Sequence, residues 1–380
     1  MTSHLMPTYA TASATFVRGR GTILWDTEGK RYLDFLGGMA VVCLGHAHPA
    51  VAAAVAEQAR TLVHVSNFYG SLPGERLAAE LDTLLGGDGL VFFANSGAEA
   101  NECAIKLARK RGGSGKHVVI SALGSNHGRT LATLHASGEP AKHRTYQPLP
   151  EGFRHVPWHD LDALATAFDP TVGAVLLEPV QGAAGVRPAT AEYLHGVRRL
   201  CDEYSALLIM DEVQTGLGRT GRWFGHQHFG VRPDVVTVAK ALGNGVPIGA
   251  CWARREVANS FTTGDHATTF GGQPLASSAG LAVLSELRRI DAPASARRAG
   301  ERLARGLRGL AGVREVRGLG LLVAAELADG HDADEVSDRA LAAGLVVNAV
   351  TDTALRFAPP LTVTDDEIDE ALAILGGVLA

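Results

Sequence analysis

Two short β-type runs, residues 207–210 (LLIM) and 235–238 (VVTV), each lead into a charged group. The first passes directly into Asp211-Glu212, and the second is followed by Ala239 and Lys240. In an open α/β sheet, ligands gather outside the carboxyl ends of the strands. A carboxylate at one strand tip and an amine just past another therefore mark a site rather than a core. The competing structural readings are a strand-end cap for Asp211 and a surface lysine for Lys240. The second fits poorly, because Lys240 follows a buried run and is flanked by Ala239 and Ala241. A carboxylate and an amine in this setting suit a cofactor with a basic ring nitrogen and a reactive aldehyde, pyridoxal phosphate.

The rest of the chain alternates helix and buried strand, as a mostly parallel sheet covered on both faces requires. Short strands are expected at 22–25 and 32–35 around a turn at 26–30. A helix opens near Pro49 after Gly45-His46-Ala47-His48; two histidines without a third ligand nearby favour a structural role over a metal. Strand 90–94 runs into Asn95-Ser96-Gly97-Ala98-Glu99, where Ser96 and Glu99 have capping-box spacing. A strand, a turn of small residues and a helix N-terminus can hold a phosphate on free backbone amides. Gly113-Ser114-Gly115-Lys116 fails the nucleotide P-loop pattern, with Lys110 at the leading glycine and His117 at the trailing Ser/Thr position, and is expected as a surface loop. Strands follow at 118–121 and 172–177, with helices at 160–168 and 192–204. Beyond a polar loop at 262–273 come helices at 274–289 and 294–310. Strands at 320–326, 345–350 and 354–357 then surround a helix at 333–343, and Thr364 and Glu367 cap a last helix.

Composition narrows the function classes. At 380 residues, 46% apolar and 20% charged, the chain is globular, with room for two or more domains. A net charge of −5 and the lack of a lysine/arginine run argue against nucleic acid. No apolar stretch approaches the roughly 18 residues that span a bilayer. The four cysteines show no paired spacing, which suits a reduced compartment and offers no metal framework. The first 25 residues lack acid and faintly suggest a transit peptide, but a cytoplasmic protein is the expectation.

Six blocks in order carry a family resemblance: Asn95-Ser96-Gly97-Ala98-Glu99-Ala100-Asn101-Glu102, His127-Gly128-Arg129-Thr130, Glu178-Pro179-Val180-Gln181-Gly182, Asp211-Glu212-Val213-Gln214-Thr215-Gly216, Lys240-Ala241-Leu242-Gly243-Asn244-Gly245 and Thr268-Thr269-Phe270-Gly271-Gly272. Over essentially its whole length the chain resembles the class III aminotransferases of the ornithine and acetylornithine type. The resemblance implies an α/β fold of fold-type I. That means a large cofactor domain (46–273) with a mostly parallel sheet, a smaller α/β C-terminal domain (274–380) and an N-terminal segment (1–45) joining the latter. It implies pyridoxal 5′-phosphate as cofactor, no metal and a homodimer with shared active sites. The implied reaction moves the ω-amine of N-acetylornithine to 2-oxoglutarate, giving N-acetylglutamate 5-semialdehyde and glutamate. Alternatives keep the chemistry with ornithine, succinylornithine, 4-aminobutyrate or a specialised amine as donor. A reading from a different class is a cofactor-binding protein without turnover, against which both Lys240 and Asp211 speak.

The resemblance also implies roles. Lys240 condenses with the cofactor aldehyde and shuttles the proton, and Asp211 pairs with the ring nitrogen. Val213 packs on one ring face, Gln214 bonds the 3′-oxygen, and Gly97 and Ala98, next to Ser96, cradle the phosphate. Thr269 adds a phosphate contact from the neighbouring subunit. Arg129 and Arg356 are the two carboxylate binders, suited by the planar guanidinium fork. Thr268 and residue 183 face the substrate. Three positions depart from the pattern. Ala183 replaces the glutamate that masks the second arginine, Asn126 replaces an aromatic residue stacked on the ring, and Gln273 replaces an asparagine in a loop. The first two point to altered substrate choice or weaker cofactor retention rather than lost chemistry.

Overall fold

Asp211 and Lys240 stand at the carboxyl edge of a seven-stranded sheet. Its strands run in the order Gly89–Ala94, Gly249–Arg254, Val235–Val238, Leu207–Asp211, Val172–Leu177, Val118–Ala122 and Phe153–Val156. The computed structural model describes residues 4–380. All neighbouring pairs are parallel except those made by Gly249–Arg254, which is antiparallel to both neighbours.

Side-chain alternation along the central strands divides the core into two layers, because successive residues of a strand point to opposite faces. Leu208 and Met210 pack with Leu194, Val197 and Cys201 of the helix Ala191–Glu203. Leu207 and Ile209 pack with Cys103, Ala104 and Leu107 of the helix Gly97–Gly112 on the other face. Helix starts follow the expected chemistry. Thr190 and Asp160 each accept a first-turn amide through their side chains, and Thr364 with Glu367 forms a complete capping box. At Ser96 the box is altered: Ser96 Oγ accepts from the Glu99 amide, but Glu99 reaches back to the Asn95 amide instead of that of Ser96.

The carboxy-terminal strands form a second sheet, ordered Val313–Leu319, Leu322–Leu327, Ala354–Phe357, Asn348–Thr351, all antiparallel. The expected strand at 320–326 is thus the second arm of a hairpin, Leu322–Leu327, which turns at Gly320-Leu321 from an arm, Val313–Leu319, that was not expected. The expected strand at 345–350 splits at Val347. Its first half, Leu345–Val346, pairs in parallel with Arg31–Asp34 in a third sheet with Phe16–Arg20 and Ile23–Asp26. The helix Pro274–Arg289 packs on Pro49–Thr61 and Leu72–Leu85, while Ala292–Arg308 packs on the second sheet and on Asp365–Leu379. Arg219 ties the two halves together. Its fully buried guanidinium donates to the carbonyls of Leu321 (3.0 Å) and Pro359 (2.6 Å).

Close approach of backbones fixes Gly300, in the middle of the helix Ala292–Arg308. A Cβ there would lie 1.9 Å from the carbonyl oxygen of Gly320. Replacing a mid-helix glycine by alanine gains about 1 kcal/mol of helix propensity. Overpacking against backbone that cannot rotate away costs about 1–3 kcal/mol or more. Gly300→Ala is therefore expected to lower stability by about 1–2 kcal/mol in reversible denaturation. Stability at or above the parent's would refute this packing.

Candidate active site

Four strand ends converge on one cavity of about 170 Å³, lined among others by Asn126, Glu178, Asp211, Val213, Gln214, Lys240 and Arg356. Asp211 is 3% exposed. Its Oδ2 accepts from Asn101 Nδ2 and from His127 Nδ1, both at 2.8 Å, and its Oδ1 accepts from the Val213 amide at 3.0 Å. The chain continues outward: Asn101 Nδ2 also donates to the His127 carbonyl, and Thr237 Oγ1 donates to Asn101 Oδ1 at 2.7 Å. Asp211 is thus anchored from three elements, with a fixed direction into the cavity. Glu212 points the other way and accepts from the amides of Gly225 and His226 and from the His226 ring, each at 2.8 Å.

Lys240 begins a single 3₁₀ turn in the left-handed region, at φ 43°. A non-glycine residue there costs on the order of 1 kcal/mol and persists only where neighbours impose it. Those neighbours come from residues 43–45: Asn244 accepts from the Leu44 amide (2.8 Å) and donates to the Gly45 carbonyl (3.1 Å), and the Cys43 thiol donates to the Ala241 carbonyl. Burial pulls the Lys240 amine down to about 8, helped by the Arg356 guanidinium and opposed by Asp211 and Glu178. Glu178, 7% exposed, directly follows the strand Val172–Leu177, one step beyond the position Asp211 holds at the end of its own.

Arg356 is 3% exposed on the strand Ala354–Phe357. Its Nε donates to Asn348 Oδ1 across the sheet (3.2 Å), and Nη1 donates to the Gly182 carbonyl (3.3 Å). Both acceptors are neutral, and among the described residues no carboxylate lies within ion-pair distance. Burial draws this guanidinium down to about 10, and Glu178 acts against that. Ala183, beside Gly182 in the cavity wall, brings no charge.

The residues present fit pyridoxal phosphate. Gln214 Nε2 is a buried donor without a partner, on a side chain that lines the cavity. The amides of Gly97 and Ala98 lie in the first turn of their helix, where no helical acceptor precedes them. Gly97 lets that turn lie against the side chain of Val213, since a Cβ there would meet Val213 Cγ1 at 2.8 Å. Asn126 and Val213 line the same cavity.

Six expected residues lie outside the cavity lining: Ser96, Gly97 and Ala98 at the helix start, Arg129, which is exposed, and Thr268 and Thr269. Thr269 lines a separate open groove of about 730 Å³ with Phe68 and Tyr69. Gln273 caps the next helix, accepting from the Leu275 amide at 2.8 Å, which explains why an amide persists at this position. Among the described residues no group of histidines, cysteines and acids could hold a metal ion. His46 bonds Asp34 at 2.7 Å instead. No helix among them is long and apolar enough to cross a membrane. Sequence reasoning assigned no role to Asn101, His127, Glu178, Asn348 or Met39, the last also in the lining. Glu178 carries the signal that revealed Asp211, a carboxylate ending a buried run. Asn348 carries none, because only cross-strand register brings it to Arg356.

Residues 6–379 match the family described as Aminotransferase class-III. The acetylornithine aminotransferase of Caldanaerobacter subterraneus subsp. tengcongensis is 48% identical, covering 99% of this chain and 97% of its own. That of Gloeobacter violaceus is 50% identical, with 99% and 96% covered. Among solved structures, the N-acetylornithine aminotransferase of Stenotrophomonas maltophilia K279a superposes with a TM-score of 0.85 at 37% identity, covering 97% of this chain and 96% of that one. A lysine and a buried carboxylate around one cavity, on a chain matched from end to end, place it in a single family: it belongs to the class-III aminotransferases, which work with pyridoxal 5′-phosphate.

Proposed function

We propose that the chain transfers the ω-amine of N2-acetylornithine to 2-oxoglutarate, giving N-acetylglutamate 5-semialdehyde and glutamate, a step of arginine biosynthesis. Near full-length similarity to acetylornithine aminotransferases carries this reading. Arg356, a buried cation with only neutral acceptors, supports it as a receptor for a substrate carboxylate. Arg129 at the surface serves the second carboxylate. The protein acts in the cytoplasm, a setting supported by four buried cysteines that are all free thiols.

When bound, pyridoxal phosphate supplies an aldehyde for amine exchange and a ring that accepts the electron pair left on the substrate carbon. Asp211 holds a proton at the ring nitrogen, oriented by His127 and Asn101. Val213 and Asn126 would pack against the ring, and Gln214 Nε2 would donate to its oxygen. Ser96 and the amides of Gly97 and Ala98 hold the phosphate. Lys240 Nζ takes the proton from the amine-bearing carbon and returns it, a role that suits an amine held near 8 rather than at its ordinary value. Thr268 and Thr269 serve the site of a second copy. In support, the groove at Thr269 is bordered by apolar side chains in the open, with Phe68 93%, Tyr69 75%, Leu72 72% and Phe270 62% exposed. A second reading, favoured by Ala183 and Asn126, keeps this chemistry with another donor: ornithine, succinylornithine, 4-aminobutyrate or a specialised amine.

A panel of amine donors against 2-oxoglutarate, followed by cofactor absorbance, tests the donor: acetylornithine is expected to give the highest kcat/KM, and a clear preference for another ω-amine establishes the second reading. Lys240→Ala should slow amine transfer on the order of 10²–10⁴-fold while leaving the fold intact; an undiminished rate excludes its assigned role. In cofactor-free protein, amine-directed labelling of Lys240 should rise with pH around a midpoint of about 8. Arg356→Gln removes a neighbouring cation that disfavours the ammonium, so the midpoint should move upward. A midpoint that does not move would show that the two groups are uncoupled. Ala183→Glu should pair with Arg356 and lower the half-reaction rate with glutamate relative to acetylornithine by about tenfold, taking a modest buried ion pair. An unchanged ratio rules out position 183 as the gate.

A further inference from the structure

The cavity holds two basic side chains, Lys240 and Arg356, and two carboxyls, Asp211 and Glu178. The two carboxyls are held differently. Asp211 accepts three bonds of 2.8–3.0 Å, two from side-chain donors. Glu178 accepts only two backbone amides, that of Asn126 at 3.2 Å and that of Gly182 at 3.4 Å, and has no ion-pair partner among the described residues. Short bonds from several donors stabilise an ionised carboxylate, and long ones do so weakly. Glu178 is therefore the acid of this cavity that is most easily neutralised. Burial pushes its carboxyl up to about 7; Asp211 adds to this, while the His127 ring and the two amides oppose it. The other charged groups that face it are Lys240 and Arg356. A substrate carboxylate arriving on Arg356 brings a further negative charge into this small space, where like charges disfavour joint ionisation.

We propose that Glu178 is a proton-holding residue of the substrate site: a carboxylate that docks on Arg356 is taken up together with one proton, which settles on Glu178. The inference rests on Arg356 being a carboxylate receptor. The step is a simple balance, carboxylate plus proton giving carboxylic acid, with no electron transfer. The sign follows from linkage. Below about 7 Glu178 is already neutral and binding is indifferent to pH; above it, binding weakens as pH rises, by up to about tenfold per pH unit.

The test uses the cofactor-loaded protein and glutarate, a dicarboxylate with no amine to transfer. Calorimetric titration at about pH 8, in two buffers of different protonation enthalpy, counts the protons taken up. Uptake approaching one proton per glutarate is expected, with no change in the cofactor absorbance that reports protonation at Lys240. In Glu178→Gln the uptake should vanish, with glutarate affinity higher than the parent's at that pH and flat above it. Absent uptake in the parent, uptake that persists in the variant, or uptake matched by an absorbance change would each overturn the proposal. The pH dependence of glutarate affinity in the unmodified protein tests the same claim without any variant. Glutarate that fails to bind at all would instead overturn Arg356 as the receptor, and the proposal with it.

Discussion

The parallel register that sets Asp211 opposite Thr237 governs the site. It brings Thr237 within reach of Asn101, and Asn101 within reach of Asp211, so three elements share one hydrogen-bonded cluster before any ligand is considered. The same strand pair places Lys240 just beyond the end of its own strand, on the edge where Asp211 sits. A slip of one residue would turn Asp211 into the opposite core layer, because alternate residues of these strands belong to different layers. The core and the catalytic geometry are therefore set by one constraint, and the sheet cannot relax its register without losing both.

Electrostatically, the cavity keeps charge in tension rather than paired off. Its arginine rests on an amide and a carbonyl, and its lysine is depressed by burial and by that arginine. Of its two carboxyls only one is firmly held. Buried groups left without counter-ions are costly in a structural role. They are useful where an anionic substrate completes the set. The unpartnered Gln214 donor and the open helix amides follow the same pattern for the cofactor. Affinity in such a site comes from satisfying groups that the protein alone leaves unsatisfied.

Much of this was legible in the linear text wherever strand and function share a local signature. A buried run ending in a carboxylate marked Asp211, and the small residues after the strand at 89–94 marked the helix start at Gly97. The expected helix at 160–168 appears as Leu161–Ala167, and the last helix begins where Thr364 and Glu367 indicated. What could not be read depends on partners far away in sequence. Glycine at 320 hides a hairpin turn inside an apolar stretch, and one run at 345–350 serves two different sheets. The antiparallel strand Gly249–Arg254 was not expected, although Asn244-Gly245 and Pro247 in the lysine loop mark the turn that leads into it. Asn348 became part of the site only because it lies across from Arg356, a pairing that no local pattern encodes.

The third sheet has a consequence for the life of the chain. Arg31–Asp34 pairs with Leu345–Val346, and Thr22 donates to Glu367, 345 positions later. The three opening strands can pair with one another as they emerge, but the outer edge of Arg31–Asp34 waits for a partner made in the last tenth of the polypeptide. During synthesis the segment at 43–45, which braces the lysine turn, is tethered to a small sheet with one edge still open. The central sheet can assemble as it emerges, whereas the third sheet is completed only by a pairing that spans more than three hundred residues, at the entropic cost of very long-range contacts. The support beneath the lysine turn thus leans on the far end of the chain, and truncation there strips an edge from the sheet to which its brace is joined.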